Sequence, residues 1–243
     1  MSEPVQRRSV LQALALFASL PLLGPKGASA AESMRIGVIG AGSLGGTVGR
    51  LWVKAGHQVL FASRHPEELS AMARELGPRA SAGTSAQAAD FGDVILFAVP
   101  YRALTELGGQ LQGALRGKVV LDSCNPSAAE YEAFVRETSV TSVGELSSRL
   151  LPNTRLVRAF SAVDATAVAA SFSRASDKLG VPLAGDDAAA VQIGEQLVRD
   201  AGCEPVTVGN LKAATNFQRG SPAFRANTTV SELRRLIEMQ NVQ

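Results

Sequence analysis

The hexapeptide Gly40-Ala41-Gly42-Ser43-Leu44-Gly45 constrains this chain more than any other feature, because of what stands on either side of it. Before it runs MRIGVI at 34–39, apolar enough for a buried parallel strand. After it, 43–55 carries apolar residues at helical spacing and then meets Gly56. A glycine at the first position permits a tight turn. One at the third lets a ligand approach the backbone, and one at the sixth lets the helix lie close to the strand. The N–H groups and positive dipole end of a helix that starts here favour an anionic ligand. Strand, glycine turn and helix in this order predict a Rossmann-type dinucleotide-binding unit, with the pyrophosphate resting on the helix start.

The alternation continues downstream. Strands are expected at 58–62, 79–82, 94–99, 118–122, 155–160, 178–184 and 204–208. Helices are expected from Pro66 to the Gly77-Pro78 stop, then at 85–89, 144–151, 187–201 and 229–239. VILFAV at 94–99 is uninterrupted apolar sequence, which suits a central strand covered on both faces. The pattern predicts an α/β fold, a doubly wound and mostly parallel sheet with a small C-terminal α/β extension. The nucleotide domain is expected at 31–160. Residues 161–243 are expected to extend it within the same globular unit.

The second strand selects the cofactor. NAD sites usually offer Asp or Glu about 20 residues beyond the glycine turn, to bond the ribose hydroxyls. Here the strand runs into Ser63-Arg64-His65-Pro66. A carboxylate would repel a 2′-phosphate, whereas Ser63 can donate a hydrogen bond to one and Arg64 can pair with it. NADP(H) is therefore expected. His65 and His57 are both expected to be incidental, with His57 solvated in the turn between helix and strand. Ligands of such sheets lie outside the carboxyl ends of the strands. That places Ala98-Val99-Pro100 and Ser123-Cys124-Asn125-Pro126 beside the nicotinamide ring.

Residues 1–30 read as an address. Gln6-Arg7-Arg8 precedes an apolar run from Ala13 to Leu23, too short to span a bilayer, and Ala28-Ser29-Ala30 closes it. The paired arginines point to twin-arginine export, hence to a periplasmic or extracellular protein. A start at Met34 would instead give a cytoplasmic one. No membrane span is expected once the leader is removed. The net charge of +2 is accounted for by Arg7, Arg8 and Lys26 against Glu3, so the rest is close to neutral and carries no nucleic-acid footprint. Two cysteines without CxxC spacing suggest buried side chains rather than a redox pair, and two histidines offer no zinc pattern. No catalytic acid, base or nucleophile stands out, and no metal site is expected.

GAGSLGG at 40–46, KAGHQVLFASR at 54–64, FAVP at 97–100, CNP at 124–126 and DAGCEPVTVG at 200–209 together resemble the NADPH-dependent F-420 reductase family. The RGSPAF run at 219–224 and SELRRLI at 231–237 add to the likeness. The nucleotide half is similar to that of the STEAP metalloreductases and of pyrroline-5-carboxylate reductase. By position the resemblance implies NADP contacts from Gly40, Gly42, Ser43, Leu44, Gly45, Ser63, Arg64, Ala98, Val99, Pro100 and Asn125. It implies hydride transfer between NADPH and a deazaflavin, flavin or similar acceptor stacked on the nicotinamide. Such chemistry asks the protein mainly for positioning. Relatives are often dimers, and the closing helix is a candidate surface for a homodimer. One departure is Arg158-Ala159-Phe160-Ser161-Ala162-Val163, where relatives often have Lys-Ala-Phe-Asn-Thr. Two other readings are an NADP(H)-binding module without turnover, serving as a sensor or partner subunit, and an imine or carbonyl reductase resembling pyrroline-5-carboxylate reductase.

Overall fold

A computed structural model describes residues 33–240, so the leader reading at 1–30 lies outside the described residues. Eight strands form one sheet in the order β3-β2-β1-β4-β5-β6-β7-β8. They are β1 (Arg35–Ile39), β2 (Gln58–Ala62), β3 (Ala80–Gly83), β4 (Val94–Phe97), β5 (Val119–Asp122), β6 (Arg155–Arg158), β7 (Gly180–Gly185) and β8 (Glu204–Gly209). Every neighbouring pair is parallel except β6 and β7, which meet antiparallel at Val157↔Gly185 and Arg158↔Ala184. The doubly wound, mostly parallel sheet expected from the sequence is what the chain forms. Its strand order reverses between β1 and β4, where ligands of such sheets bind.

Alternation along the strands gives each face its own core. Val38, Leu96, Leu121 and Val157 pack with Trp52 of α1 (Ser43–Ala55) and with Leu197 and Val198 of α8 (Ala188–Asp200). Their chain neighbours Ile39, Phe97, Val120 and Leu156 pack with Leu104 and Leu111 of α4 (Tyr101–Leu115). Trp52 joins its layer firmly, donating its indole N–H to the Leu197 carbonyl at 2.7 Å and meeting Phe160 edge-on. A third cluster lies at the C-terminal end. There Leu233 and Ile237 of α9 (Val230–Gln240) pack with Ala184 and Val206 of the last two strands.

Between these stand α2 (Ser70–Leu76), preceded by a 3-10 turn at Pro66–Leu69, and α3 (Ser85–Phe91). The remaining helices are α5 (Ala128–Thr138), α6 (Val143–Leu150) and α7 (Ala165–Phe172). The sequence pattern did not mark α4, α5 or α7. It also ran two strands too long, since β4 stops at Phe97 and β6 at Arg158. In both cases the apolar residues that follow are loop residues packed at the sheet's end.

His57 differs from expectation. It is fully buried rather than solvated. Its Nδ1 accepts the Met34 N–H at 3.1 Å, and its Nε2 lies 2.9 Å from Asp200 Oδ2. The imidazole thus ties the start of β1 to the end of α8, 143 residues away.

Candidate functional site

The three glycines of the first turn have three different surroundings. Gly40 has φ +101°, and a Cβ there would lie 2.4 Å from the Ala98 carbonyl oxygen. A Cβ on Gly45 would lie 2.2 Å from the Gly40 carbonyl oxygen. Around Gly42 a Cβ would meet nothing within 4 Å. The turn is anchored from below, because Gly40 and Ala41 both donate their N–H groups to the Ala62 carbonyl, at 3.0 and 3.1 Å.

Helix α1 then begins without a side-chain cap and without an acidic residue in its first turn. Its first backbone closure is Gly46 N–H to the Gly42 carbonyl at 2.8 Å. The donors ahead of it, around Ser43, Leu44 and Gly45, have no partner within the helix. With Gly42 and Ser43 exposed, these donors open outward under a positive dipole end. Open space over the middle glycine and closed packing under the other two fit a bound pyrophosphate.

At the end of β2 the Ser63 Oγ accepts the His65 N–H at 3.0 Å, so the serine shapes the turn while its own hydroxyl proton stays available. Arg64 is exposed and makes no ion pair among the described residues. His65 instead faces Glu67, Nδ1 to Oε1 at 3.4 Å. The strand end itself carries no carboxylate, in keeping with a phosphate-bearing ribose.

The ends of β4 and β5 are stitched together. Ala98 N–H donates to the Ile39 carbonyl at 2.9 Å, which sets Ala98 and Val99 beside the glycine turn. Ser123 gives both its N–H and its hydroxyl to the Phe97 carbonyl, at 3.0 and 2.7 Å. Pro100 is exposed and caps the start of α4.

Beneath Asn125 lies a feature the sequence reading missed. Asp122 and Arg158 are register partners on β5 and β6 and form an ion pair of 2.6 Å with both side chains fully buried. Arg158 Nη1 also donates to the Cys124 carbonyl at 2.6 Å, and Nη2 to Asn125 Oδ1 at 3.1 Å. Asn125 Nδ2 donates in turn to the Ser161 carbonyl at 2.7 Å. The orientation of the Asn125 amide is thereby fixed by a donor on one side and an acceptor on the other. The only sequence signal was a charge of each sign at the ends of two apolar strands.

Cys124 is buried and free in this loop. Burial pushes its thiol well above the usual value, and the neighbouring Asp122 carboxylate adds to the shift. A thiol so held is a poor nucleophile at neutral pH. Burial likewise raises the Tyr101 phenol, whose Oη lies 3.2 Å from Ser147 Oγ. Among the described residues no group of three or more His, Cys, Asp or Glu could hold a metal ion, and no helix is long and apolar enough to cross a membrane.

The expected residues thus gather at the carboxyl ends of β1, β2, β4 and β5. Next to Asn125 a cavity of about 150 Å³ opens, lined by Asn125, Pro126, Ala128, Tyr131, Val143 and Gln218, with exposed Glu132 and Arg219 completing it. Asn125 and Pro126 are expected site residues and Arg219 opens the RGSPAF run, while the sequence marks none of the others.

Residues 35–126, which hold all the expected cofactor residues from Gly40 to Asn125, match the family described as NADP oxidoreductase, coenzyme F420-dependent. The match spans well under half of the chain and shows what this stretch is similar to. The chain is also 24% identical over 218 residues to the metalloreductase STEAP3 of Rattus norvegicus, a match covering 90% of this chain and 41% of that protein. It therefore spans less than half the length of that curated relative. Among solved structures, a hypothetical protein from Sinorhizobium meliloti is 27% identical with a TM-score of 0.68, covering 79% of this chain and 93% of the other. An Arthrobacter protein assigned as an F420-dependent NADP-reductase is 21% identical with a TM-score of 0.63, covering 76% of this chain and 88% of its own. At that identity the likeness is one of fold.

Proposed function

We propose that this chain is an exported NADP(H)-dependent oxidoreductase that passes a hydride between NADPH and a small redox acceptor lying against the nicotinamide. The observation that carries the reading is the uncapped start of α1 above Gly42, with Gly40 and Gly45 packed shut on either side. Backbone donors at Gly42, Ser43, Leu44 and Gly45 would hold the pyrophosphate, with Gly40 making the turn. Ser63 and the unpaired Arg64 would hold the 2′-phosphate. Ala98, Val99, Pro100 and Asn125 would shape the slot for the nicotinamide ring.

When bound, NADP(H) supplies the hydride. The protein's own work is then to orient the ring, exclude water and hold the acceptor close. The rigid Asn125 loop suits that work, because every amide atom of its side chain is engaged from below. A deazaflavin, a flavin or a similar small molecule is the class of acceptor the family points to. Arg7-Arg8 and Ala28-Ser29-Ala30 support export by the twin-arginine route, which carries folded proteins and would let the cofactor travel already bound.

The test is Arg64→Ala, with dinucleotide binding followed by fluorescence titration. NADPH binding should weaken by about 1.5–3 kcal/mol, the scale of a hydrogen bond to a charged group, while NADH binding stays near its starting value. Equal losses for both cofactors would sink the assignment of Ser63 and Arg64. Tight NADPH binding with no oxidation by any of a panel of acceptors would reduce the chain to a binding module.

A further inference from the structure

We propose that the cavity beside Asn125 is the seat of the second substrate and that it takes a compact, uncharged, one-ring acceptor of the quinone class. This rests on the hydride-transfer reading above and puts a quinone in the place of the deazaflavin or flavin acceptor.

The cavity is a built one. Pro126 follows β5, Ala128 and Tyr131 stand on α5, Val143 begins α6, and Gln218 comes from the C-terminal segment. Gln218 holds these parts together and is only 8% exposed. Its Oε1 accepts the Val143 N–H at 2.9 Å. Its Nε2 donates to the Thr141 carbonyl at 3.0 Å and to Tyr131 Oη at 3.1 Å. Tyr131 Oη donates to the same Thr141 carbonyl at 2.7 Å. With Asn125 bound to Arg158 and Ser161, the side-chain donors of Asn125, Tyr131 and Gln218 are spent on the protein itself, and the guanidinium of exposed Arg219 is the charged donor left in the lining. Beside the exposed Glu132 and Arg219, what lines the space is the Tyr131 ring and the carbon surface of Pro126, Ala128 and Val143.

Size and charge then select the occupant. The space of about 150 Å³ matches a cavity that holds a single benzene ring, and three fused rings would have to project from it into solvent. A flavin or deazaflavin also brings a pyrimidine edge with several polar atoms, and Asn125, Tyr131 and Gln218 have no side-chain donor left to meet them. Glu132 and Arg219 carry opposite charges and offer no net attraction to a polyanionic tail, and the Arg219 guanidinium lies 5.2 Å from the Phe224 ring centroid. A quinone asks for a flat apolar slot and little more. In the reaction it takes the hydride of NADPH and one proton from water, giving the hydroquinone and leaving NADP⁺. Asn125 belongs both to this lining and to the nicotinamide slot, so a ring held here is a neighbour of the cofactor.

Ala128→Phe tests the assignment, since Ala128 is an exposed residue at the start of α5 and the larger side chain would fill the cavity. With the full chain, hydroquinone binding is read by saturation-transfer NMR without cofactor, NADPH binding by fluorescence, and turnover with a benzoquinone, FMN and a deazaflavin. The expected result is quinone turnover faster than with either tricyclic acceptor. Ala128→Phe should cut that turnover about tenfold or more and abolish the hydroquinone signal, while NADPH binding is retained. Quinone turnover or hydroquinone binding that Ala128→Phe leaves intact would overturn the seat. Faster turnover with FMN or the deazaflavin would overturn the acceptor class and leave the hydride-transfer reading standing. NADPH oxidation by none of the three would overturn that reading itself.

Discussion

Arg158 reaches from β6 across the sheet to Asp122 on β5, and the two charges meet at 2.6 Å with no exposure to water. A buried pair of this kind adds little over an apolar pair, yet losing one partner strands the other charge. Arg158→Met should therefore destabilise the fold by about 3–5 kcal/mol, and adding Asp122→Leu should restore most of the loss. Urea denaturation of the single and double variants measures both. A single variant as stable as the parent would show that the pair is dispensable.

The glycine turn separates stability from binding. Gly40→Ala forces a left-handed φ on alanine and drives its Cβ into Ala98, so it should cost about 1–3 kcal/mol or more in folding free energy. Gly42→Ala meets open space and should change stability by less than about 0.5 kcal/mol. Its methyl group stands where the pyrophosphate would lie, so NADPH affinity should fall while the melting temperature holds. Thermal melts paired with binding titrations distinguish the two positions.

His57 is a structural residue in this fold. Replacing it with Ala would leave the Met34 N–H and the Asp200 carboxylate without their present partner. A loss of about 1–3 kcal/mol is expected, with NADPH affinity unchanged once the protein is folded. Equilibrium unfolding shows the first effect and titration of the folded variant the second.

Asp187 gives the chain a defined response to acid. Its carboxylate takes two hydrogen bonds from Arg155, at 2.8 and 2.9 Å, and one from the Ala190 N–H at 2.8 Å. Those contacts, the Arg155 bonds foremost, hold it well below the usual carboxylate range. A carboxylate depressed in the folded state stabilises above its unfolded value of about 3.9. That contribution fades as the pH falls through the folded value. Asp187→Ala should thus be less stable than the parent at neutral pH, and the gap should narrow in strong acid. Denaturation curves across that range test it, and a gap independent of pH would refute the linkage.

Much of the sheet could be read along the chain because each strand and the glycine turn is a local signal. β2 and α1 fall where the sequence puts them, with Gly56 at φ +106° closing the helix. The missed helices lacked such signals. α4 contains Gly108, Gly109 and Gly113, which lower its apparent helix propensity. Gly108 is there for contact, since a Cβ would lie 2.3 Å from the Leu150 carbonyl oxygen. α5 buries no residue fully and packs on the core only through half-buried Tyr131 and Phe134, a short stripe, although Ser127 and Glu130 form a capping box at its start. The contacts of Arg158, His57 and Gln218 were illegible for another reason. Their partners lie 36, 143 and 75 residues away, and no spacing rule reaches so far.

Gln218 also sets a condition on completeness. The glycine turn and its neighbours are all in place by Asn125, but the cavity closes only when residue 218 docks against Tyr131 and Val143. A chain cut short before that point would keep the residues proposed to meet a dinucleotide and lack one wall of the proposed acceptor seat. In the reading proposed above, the acceptor wall is thus the last part of the site to be supplied along the chain.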